Sequence, residues 1–169
     1  LVIALAMGSP TPAWAYLKLG ADVGGRIVDV SWQAQPIRYF VSETSVPGVS
    51  AAELRGAVGR ATATWQGVSS ASVRFELQGA TTALPDAQDG RTTLGFLDRP
   101  DLDRVLGATS FLIDTTTGAI VEADVFFNAR FAWSVALQGQ PGRVDLESVV
   151  VHETGHLLGG GAGVLDEDV

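Results

Sequence analysis

The residues best suited to chemistry in this 169-residue chain form one short pattern, H-E-x-x-H. His152 and His156 are the only two histidines of the chain, and Glu153 lies between them. A spacing of four residues puts both imidazoles on one face of a helix, where they can chelate one zinc ion. Glu153 can then act as general base toward a water molecule that the metal activates. The pattern therefore predicts a zinc site with hydrolytic chemistry.

The flanking residues indicate that this pattern lies on a buried helix. Asp145 is a suitable N-cap, Glu147 adds negative charge to the first turn, and Gly159 suits the position that ends the helix. Three fixed letters in five also occur by chance, so a structural β-rich domain without metal remains an alternative. Apolar residues surround the pattern as burial requires: Val149, Val150, Val151, Leu157 and Leu158.

Composition limits the class of protein and its partners. Hydrophobic residues make up 46% and charged residues 18%, which fits one globular domain with a core. The net charge of -8 argues against nucleic acid as a partner. The absence of cysteine excludes disulfides, thiolate metal sites and thiol nucleophiles. No apolar run is long enough to span a membrane, and we expect a monomer.

The first residues resemble the end of a secretory signal. An apolar run over 1–7 precedes Ala13-Trp14-Ala15, which has the A-x-A form of a cleavage site. We therefore expect residues 1–15 to be a partial signal peptide and the protein to be secreted into the extracellular space. A buried first strand is the alternative. Residues 16–31 are predicted to form an N-terminal arm, and residues 32–169 the main domain.

The main domain alternates segments typical of strands and helices. Ser50 and Glu53 form a capping box that opens a helix ending near Gln66. The order of elements predicts an α/β (α+β) fold in which a mixed sheet of about five strands is backed by two helices. Alternating or β-branched segments predict strands over 37–41, 72–77, 93–97, 108–114 and 119–127, the last two joined as a hairpin.

The segment from Val151 to Gly159 reads V-H-E-T-G-H-L-L-G, which resembles the active-site helix of the metzincins and most closely that of the matrixins. Their longer motif is H-E-x-x-H-x-x-G-x-x-H. Softer similarities follow in the family's order, over 37–39, 61–65 and 117–124. The resemblance implies the upper subdomain of a metzincin, with a twisted, mostly parallel sheet. It also implies a secreted zinc endopeptidase that acts on peptide or protein substrates.

The resemblance implies Zn²⁺ ligation by His152 and His156 with Glu153 as general base, but the chain departs from the family at the third histidine. Ala162 occupies that position and cannot bind metal. Asp166 is the candidate substitute, although it lies four residues farther on. The family's methionine turn and final helix are not found before the chain ends, so we expect the C-terminal subdomain to be missing. An inactive pseudopeptidase or peptide-binding domain of the same fold is therefore the alternative function.

Three further expectations concern the sheet and other cations. The acidic loop with Asp98, Asp101 and Asp103 could bind Ca²⁺, although a solvated acidic loop is the more economical interpretation. In the family, an antiparallel edge strand pairs with the extended substrate, and by position this strand is expected within 119–127. Phe126 occupies the place of a histidine that binds a structural zinc in vertebrate members, so no such zinc is expected.

Overall fold

The structure is a computed structural model that describes residues 20–23, 25–69 and 72–159. The predicted signal peptide, Ala162 and Asp166 lie outside these residues. The helices are α1 (Ala51–Gln66) and α2 (Leu146–Leu157). The strands are β1 (Gly20–Val23), β2 (Arg26–Asp29), β3 (Ile37–Ser42), β4 (Phe75–Thr81), β5 (Thr93–Leu97), β6 (Gly107–Ile113), β7 (Ile120–Asn128), β8 (Trp133–Ser134) and β9 (Val144–Asp145).

Five of these strands form the central sheet, in the order β4-β3-β5-β7-β6. The β3–β4, β3–β5 and β5–β7 pairs are parallel, and only the β6–β7 hairpin is antiparallel. The helices α1 and α2 pack against each other, and α2 also contacts β6 and β7. The predicted fold class, a mostly parallel mixed sheet of five strands with two helices, is confirmed.

The position of the outer strand corrects one prediction. The segment 119–127 was expected to be the antiparallel edge strand, but β7 lies inside the sheet between β5 and β6. The edge strand is β6, the first arm of the hairpin. The physical reason is burial: all but one of the nine residues of β7 are buried, as expected for a strand with neighbours on both sides.

Two details of the strands also differ from prediction. The second strand was expected over 72–77, but β4 begins at Phe75 and continues to Thr81. It does so because β4 pairs with β3 along its length, with a register shift between Tyr39 and Phe40. The short parallel pair of β8 and β9 was not predicted, because two-residue strands are too short to show alternation.

Both helices begin where local sequence predicts. The Ser50 side chain accepts from the Glu53 N–H, and the Glu53 carboxylate accepts from the Ser50 N–H at 2.8 Å, which completes the capping box of α1. Asp145 caps α2 by accepting from the Ser148 N–H at 2.9 Å. Neither helix among the described residues has the length and apolarity needed to cross a membrane.

The core lies between the helices and the sheet. One face of α1 is buried along Leu54, Ala57, Val58 and Ala61. An aromatic cluster joins β5, β7 and β8, with ring centroids of Phe96, Phe127 and Trp133 about 6 Å apart in each pair. The predicted N-terminal arm contains the β1–β2 hairpin, and Ser31 then forms a bridge to Ala119 beside β7. The helix that carries the candidate ligands, α2, packs against α1, β6 and β7.

Candidate metal centre

The two histidines converge at the exposed side of α2. The Nε2 atoms of His152 and His156 are 2.8 Å apart, and the ring centroids are 4.5 Å apart with an angle of 80° between the planes. Both side chains are half-buried, so the ring edges remain accessible. The predicted i, i+4 spacing therefore brings the two ring nitrogens to one point in space.

The two imidazole nitrogens are placed so that they could serve as two ligands of one zinc ion. Zinc binds imidazole nitrogen at about 2.0–2.1 Å, so two nitrogens 2.8 Å apart can reach one ion after the rings open slightly. Within the described residues, no three His, Cys, Asp or Glu side chains come together as a complete ligand group. The positions of Ala162 and Asp166 lie outside those residues. The described part of the site thus supplies a two-histidine donor set.

Glu153 follows His152 on α2, and its carboxylate is held on one side only. The residue is 1% exposed, and the hydroxyl of Thr109 lies 3.0 Å from Oε2. The other oxygen, Oε1, is buried and has no hydrogen-bond partner among the described residues. An orphaned buried carboxylate oxygen beside two ligands marks a place where a polar group is needed. The pair of ligands and this oxygen together fit a metal and its reacting partner.

Burial is the main electrostatic influence on this carboxylate. Desolvation raises the pKa of Glu153, while the Thr109 hydroxyl bond and then His156 and His152 oppose the rise. A carboxyl whose pKa lies above its ordinary value is a better proton acceptor near neutral pH than an exposed one. This environment suits a general base.

The helix that bears the site is locked by Trp65 at the end of α1. The Trp65 indole N–H donates to the carbonyl oxygen of Val151 at 2.8 Å. The ring also lies against Gly155, where a Cβ would come within 2.6 Å of Trp65 Cζ2. The glycine inside the H-E-x-x-H pattern therefore lets the indole pack directly on the helix backbone.

The C-terminal end of α2 is held by the residues that precede β3. The Trp32 indole N–H donates to the carbonyl oxygen of Leu157 at 2.7 Å, although the two are 125 residues apart. Gly159 then turns the chain with φ of +88°, and a Cβ there would meet the carbonyl oxygen of Val30 at 2.8 Å. These contacts hold the last turn of α2 and the glycine that follows it.

Two of the three carboxylates in the predicted calcium loop form ion pairs with arginines. Asp98 pairs with Arg130 at 2.6 Å and Asp101 pairs with Arg99 at 2.7 Å, while Asp103 is exposed. The structure therefore does not bring these three carboxylates together as oxygen ligands, because two of them are directed toward guanidinium groups.

The same loop is tied to β7 by one amide. Asn128 is fully buried, and its Nδ2 donates to the carbonyl oxygens of Arg99, Leu102 and Val105 at 3.1, 2.7 and 3.2 Å. Phe126 is 7% exposed, with the Arg99 guanidinium 5.3 Å from its ring centroid. An apolar aromatic side chain thus fills the place that the family resemblance assigned to a histidine ligand.

The sequence predicted a site at the H-E-x-x-H pattern but not the residues of other elements that contact its helix. Thr109, Trp32 and Trp65 were not recognised as partners of the site, because each contacts it across a long stretch of chain. For Trp32 and Trp65 the sequence carried only a weak signal. A buried tryptophan usually finds a hydrogen-bond acceptor for its indole N–H, but the sequence does not say which one. Thr109 carried no such signal.

Comparison with known proteins shows the family to which this chain belongs. The family model of the matrixins matches residues 31–161, which is more than three quarters of the chain. No curated protein gives a significant match to this sequence. The matched region covers the sheet, both helices and the H-E-x-x-H pattern. The chain therefore belongs to the matrixins, a family of zinc metalloendopeptidases.

Proposed function

We propose that this chain is a secreted, zinc-dependent endopeptidase in which His152 and His156 hold the metal and Glu153 is the general base. The observation that carries the proposal is the convergence of two Nε2 atoms, 2.8 Å apart, on a helix whose buried Glu153 has a carboxylate oxygen without a partner in the described part of the chain. Zinc, when bound, would polarise a peptide carbonyl and acidify water. The matrixin family uses zinc in this role.

The residues of the chain itself supply proton transfer. Oε1 of Glu153 is the carboxylate oxygen to which no described residue donates, so it is the atom that would accept a proton from water and return it to the leaving amine. Burial raises the pKa of Glu153, which favours this exchange near neutral pH. The carboxylate needs no covalent bond to the substrate, and the chain has no cysteine to offer one.

We infer that a peptide substrate binds along β6. This strand pairs with β7 on one side, and no strand among the described residues pairs with its other edge. An extended peptide can add to such an edge through backbone hydrogen bonds. Thr109 lies on β6 and contacts Glu153, so a peptide bound there would pass close to the general base.

The zinc site is tested by calorimetric titration of zinc into the wild type and into His152→Ala and His156→Ala. We expect each histidine variant to lose most of the binding, because one imidazole alone holds zinc weakly. Unchanged zinc affinity in both variants would overturn the assignment. Titration of Ala162→His measures what a third histidine adds.

The catalytic role is tested by peptide cleavage with zinc-loaded wild type, Glu153→Gln and Glu147→Gln. Glu147 is the matched control, since it lies on the same helix and pairs with Arg60 at 2.6 Å, away from the histidines. We expect Glu153→Gln to lose at least about 100-fold in kcat while Glu147→Gln keeps wild-type activity. Zinc binding without cleavage by the wild type, with cleavage gained in Ala162→His, would instead support the pseudopeptidase alternative.

Secretion is a separate part of the proposal. It rests on the A-x-A site at Ala13-Trp14-Ala15 and on its apolar preceding run. N-terminal sequencing of protein recovered from the medium of a secreting host should give Tyr16 as the first residue. Retention of the uncut chain inside the cell would contradict this part without affecting the zinc site.

A further inference from the structure

The hydroxyl of Thr109 contacts Glu153 at two places. Its Oγ1 lies 3.0 Å from Oε2 of the carboxylate and 3.1 Å from the backbone carbonyl oxygen of the same residue. A threonine hydroxyl carries a single hydrogen, which is therefore shared between these two acceptors. One side chain on the edge strand thus joins the carboxylate of Glu153 to the helix backbone that carries it.

Among the described residues, no other hydrogen bond constrains the orientation of this carboxylate. Oε1 is buried without a hydrogen-bond partner in that part of the chain, so the Thr109 contact alone fixes there how the two oxygens are arranged. Gly107 lies two residues before Thr109, on the same face of β6, and leaves space for the methylene groups of the Glu153 side chain. A Cβ at Gly107 would lie 3.4 Å from Glu153 Cγ and 2.9 Å from the carbonyl oxygen of Phe126.

We infer that Thr109 is a positioning residue for Glu153. Its hydroxyl holds Oε2 and thereby leaves Oε1 as the oxygen that exchanges the proton. The catalytic meaning of this inference rests on the proposed function, but the orientation of the carboxylate is a property of the chain alone. Because Thr109 belongs to β6, the strand proposed to bind the peptide is also the strand that orients the base.

The orientation is tested by crystal structures of the metal-free wild type, Thr109→Val and Thr109→Ser. Valine has the shape of threonine without the hydroxyl, whereas serine keeps the hydroxyl. We expect the Glu153 carboxylate to keep its orientation in Thr109→Ser and to rotate or become disordered in Thr109→Val. A wild-type orientation in Thr109→Val would overturn the inference. If Thr109→Val does not fold, Thr109→Ala is used for the same comparison.

Kinetics of the zinc-loaded proteins provide the second readout. We expect Thr109→Val to lose about 10- to 100-fold in kcat with little change in KM, and Thr109→Ser to recover most of the loss. Zinc affinity by calorimetry should stay unchanged, because the Thr109 hydroxyl bonds to Glu153 and not to a proposed zinc ligand. Equal kcat in an active wild type and Thr109→Val would contradict the inference.

Thr62→Val is the matched control for lost stability. Thr62 is buried, and its hydroxyl donates to backbone carbonyl oxygens of α1 at 3.0 Å. The same substitution there removes a comparable bond that does not involve Glu153, so it should leave kcat unchanged. If the wild type cleaves no peptide at all, the proposed function fails, while the metal-free crystal structures still decide the role of Thr109.

Discussion

The indole ring of Trp65 lies directly on Gly155, so that a Cβ at position 155 would sit 2.6 Å from Cζ2 of the ring. Gly155→Ala must therefore displace the indole and weaken its 2.8 Å bond to the Val151 carbonyl oxygen. Overpacking of this kind costs about 1–3 kcal/mol, more than the gain of up to about 1 kcal/mol from better helix propensity. Urea denaturation should show net destabilisation of Gly155→Ala.

Gly59→Ala is the control for that measurement. Gly59 is an exposed residue of α1, and a Cβ there would meet nothing within 4 Å. The helix propensity of alanine should therefore stabilise the protein by up to about 1 kcal/mol. Stabilisation by both substitutions would show that the Trp65 contact does not constrain the helix of the metal site.

Trp32→Phe removes the indole N–H that donates to the Leu157 carbonyl oxygen at 2.7 Å. Loss of this bond should cost about 0.5–1.5 kcal/mol and loosen the last turn of α2. Hydrogen exchange should become faster at the amides of Leu158 and Gly159, whereas exchange in α1 serves as the internal reference. Unchanged exchange at the end of α2 would refute the capping role of Trp32.

Asn128→Asp replaces an amide by a carboxylate where three carbonyl oxygens converge. The negative oxygen would repel these carbonyl groups and remove the amide donor that they share, so we expect a loss of about 3 kcal/mol or more in the free energy of unfolding. Gln138→Glu makes the same chemical change at an exposed position and should stay within about 0.5 kcal/mol of wild type. Urea titration of both variants checks the difference.

Asp124 makes stability depend on pH. Burial raises the pKa of Asp124 from an ordinary value of 3.8 to about 7, the Thr93 N–H bond opposes the rise, and Glu122, Asp89 and Asp86 add to it. The folded protein therefore holds this proton more tightly than the unfolded chain. The stabilising contribution is complete below about pH 3.8 and is lost as the pH rises through about 7.

Asp124→Asn should remove this loss, because the asparagine Oδ1 can still accept from the Thr93 N–H without carrying charge. We expect the variant to exceed wild type in melting temperature at pH 8 and to differ less at pH 5, with a difference in stability of at most about 4 kcal/mol. Asp103→Asn, at an exposed position, is the control and should show no such divergence. A smaller advantage at pH 8 than at pH 5 would reverse the predicted sign.

The sheet shows where prediction from sequence succeeds and where it stops. The β6–β7 hairpin was predicted because its two strands are joined by a short turn, in which the Gly118 N–H donates to the Asp114 carbonyl oxygen at 2.8 Å. The outer position of β6 was not predicted, because strand order depends on pairing between β5 and β7, which lie far apart in the chain. Alternation describes the faces of a strand but not its neighbours.

Residue types and local spacing were enough to predict the candidate metal site and the helix that bears it. His152, Glu153 and His156 are close because four residues make about one helical turn, and the cap at Asp145 is equally local. The orientation of Glu153 and the end of the helix depend instead on packing between elements, since Thr109 contacts Glu153 across 44 residues and Trp32 contacts Leu157 across 125. Spacing along the chain encodes contacts within a helical turn, whereas contacts between elements arise only when the sheet and helices pack together.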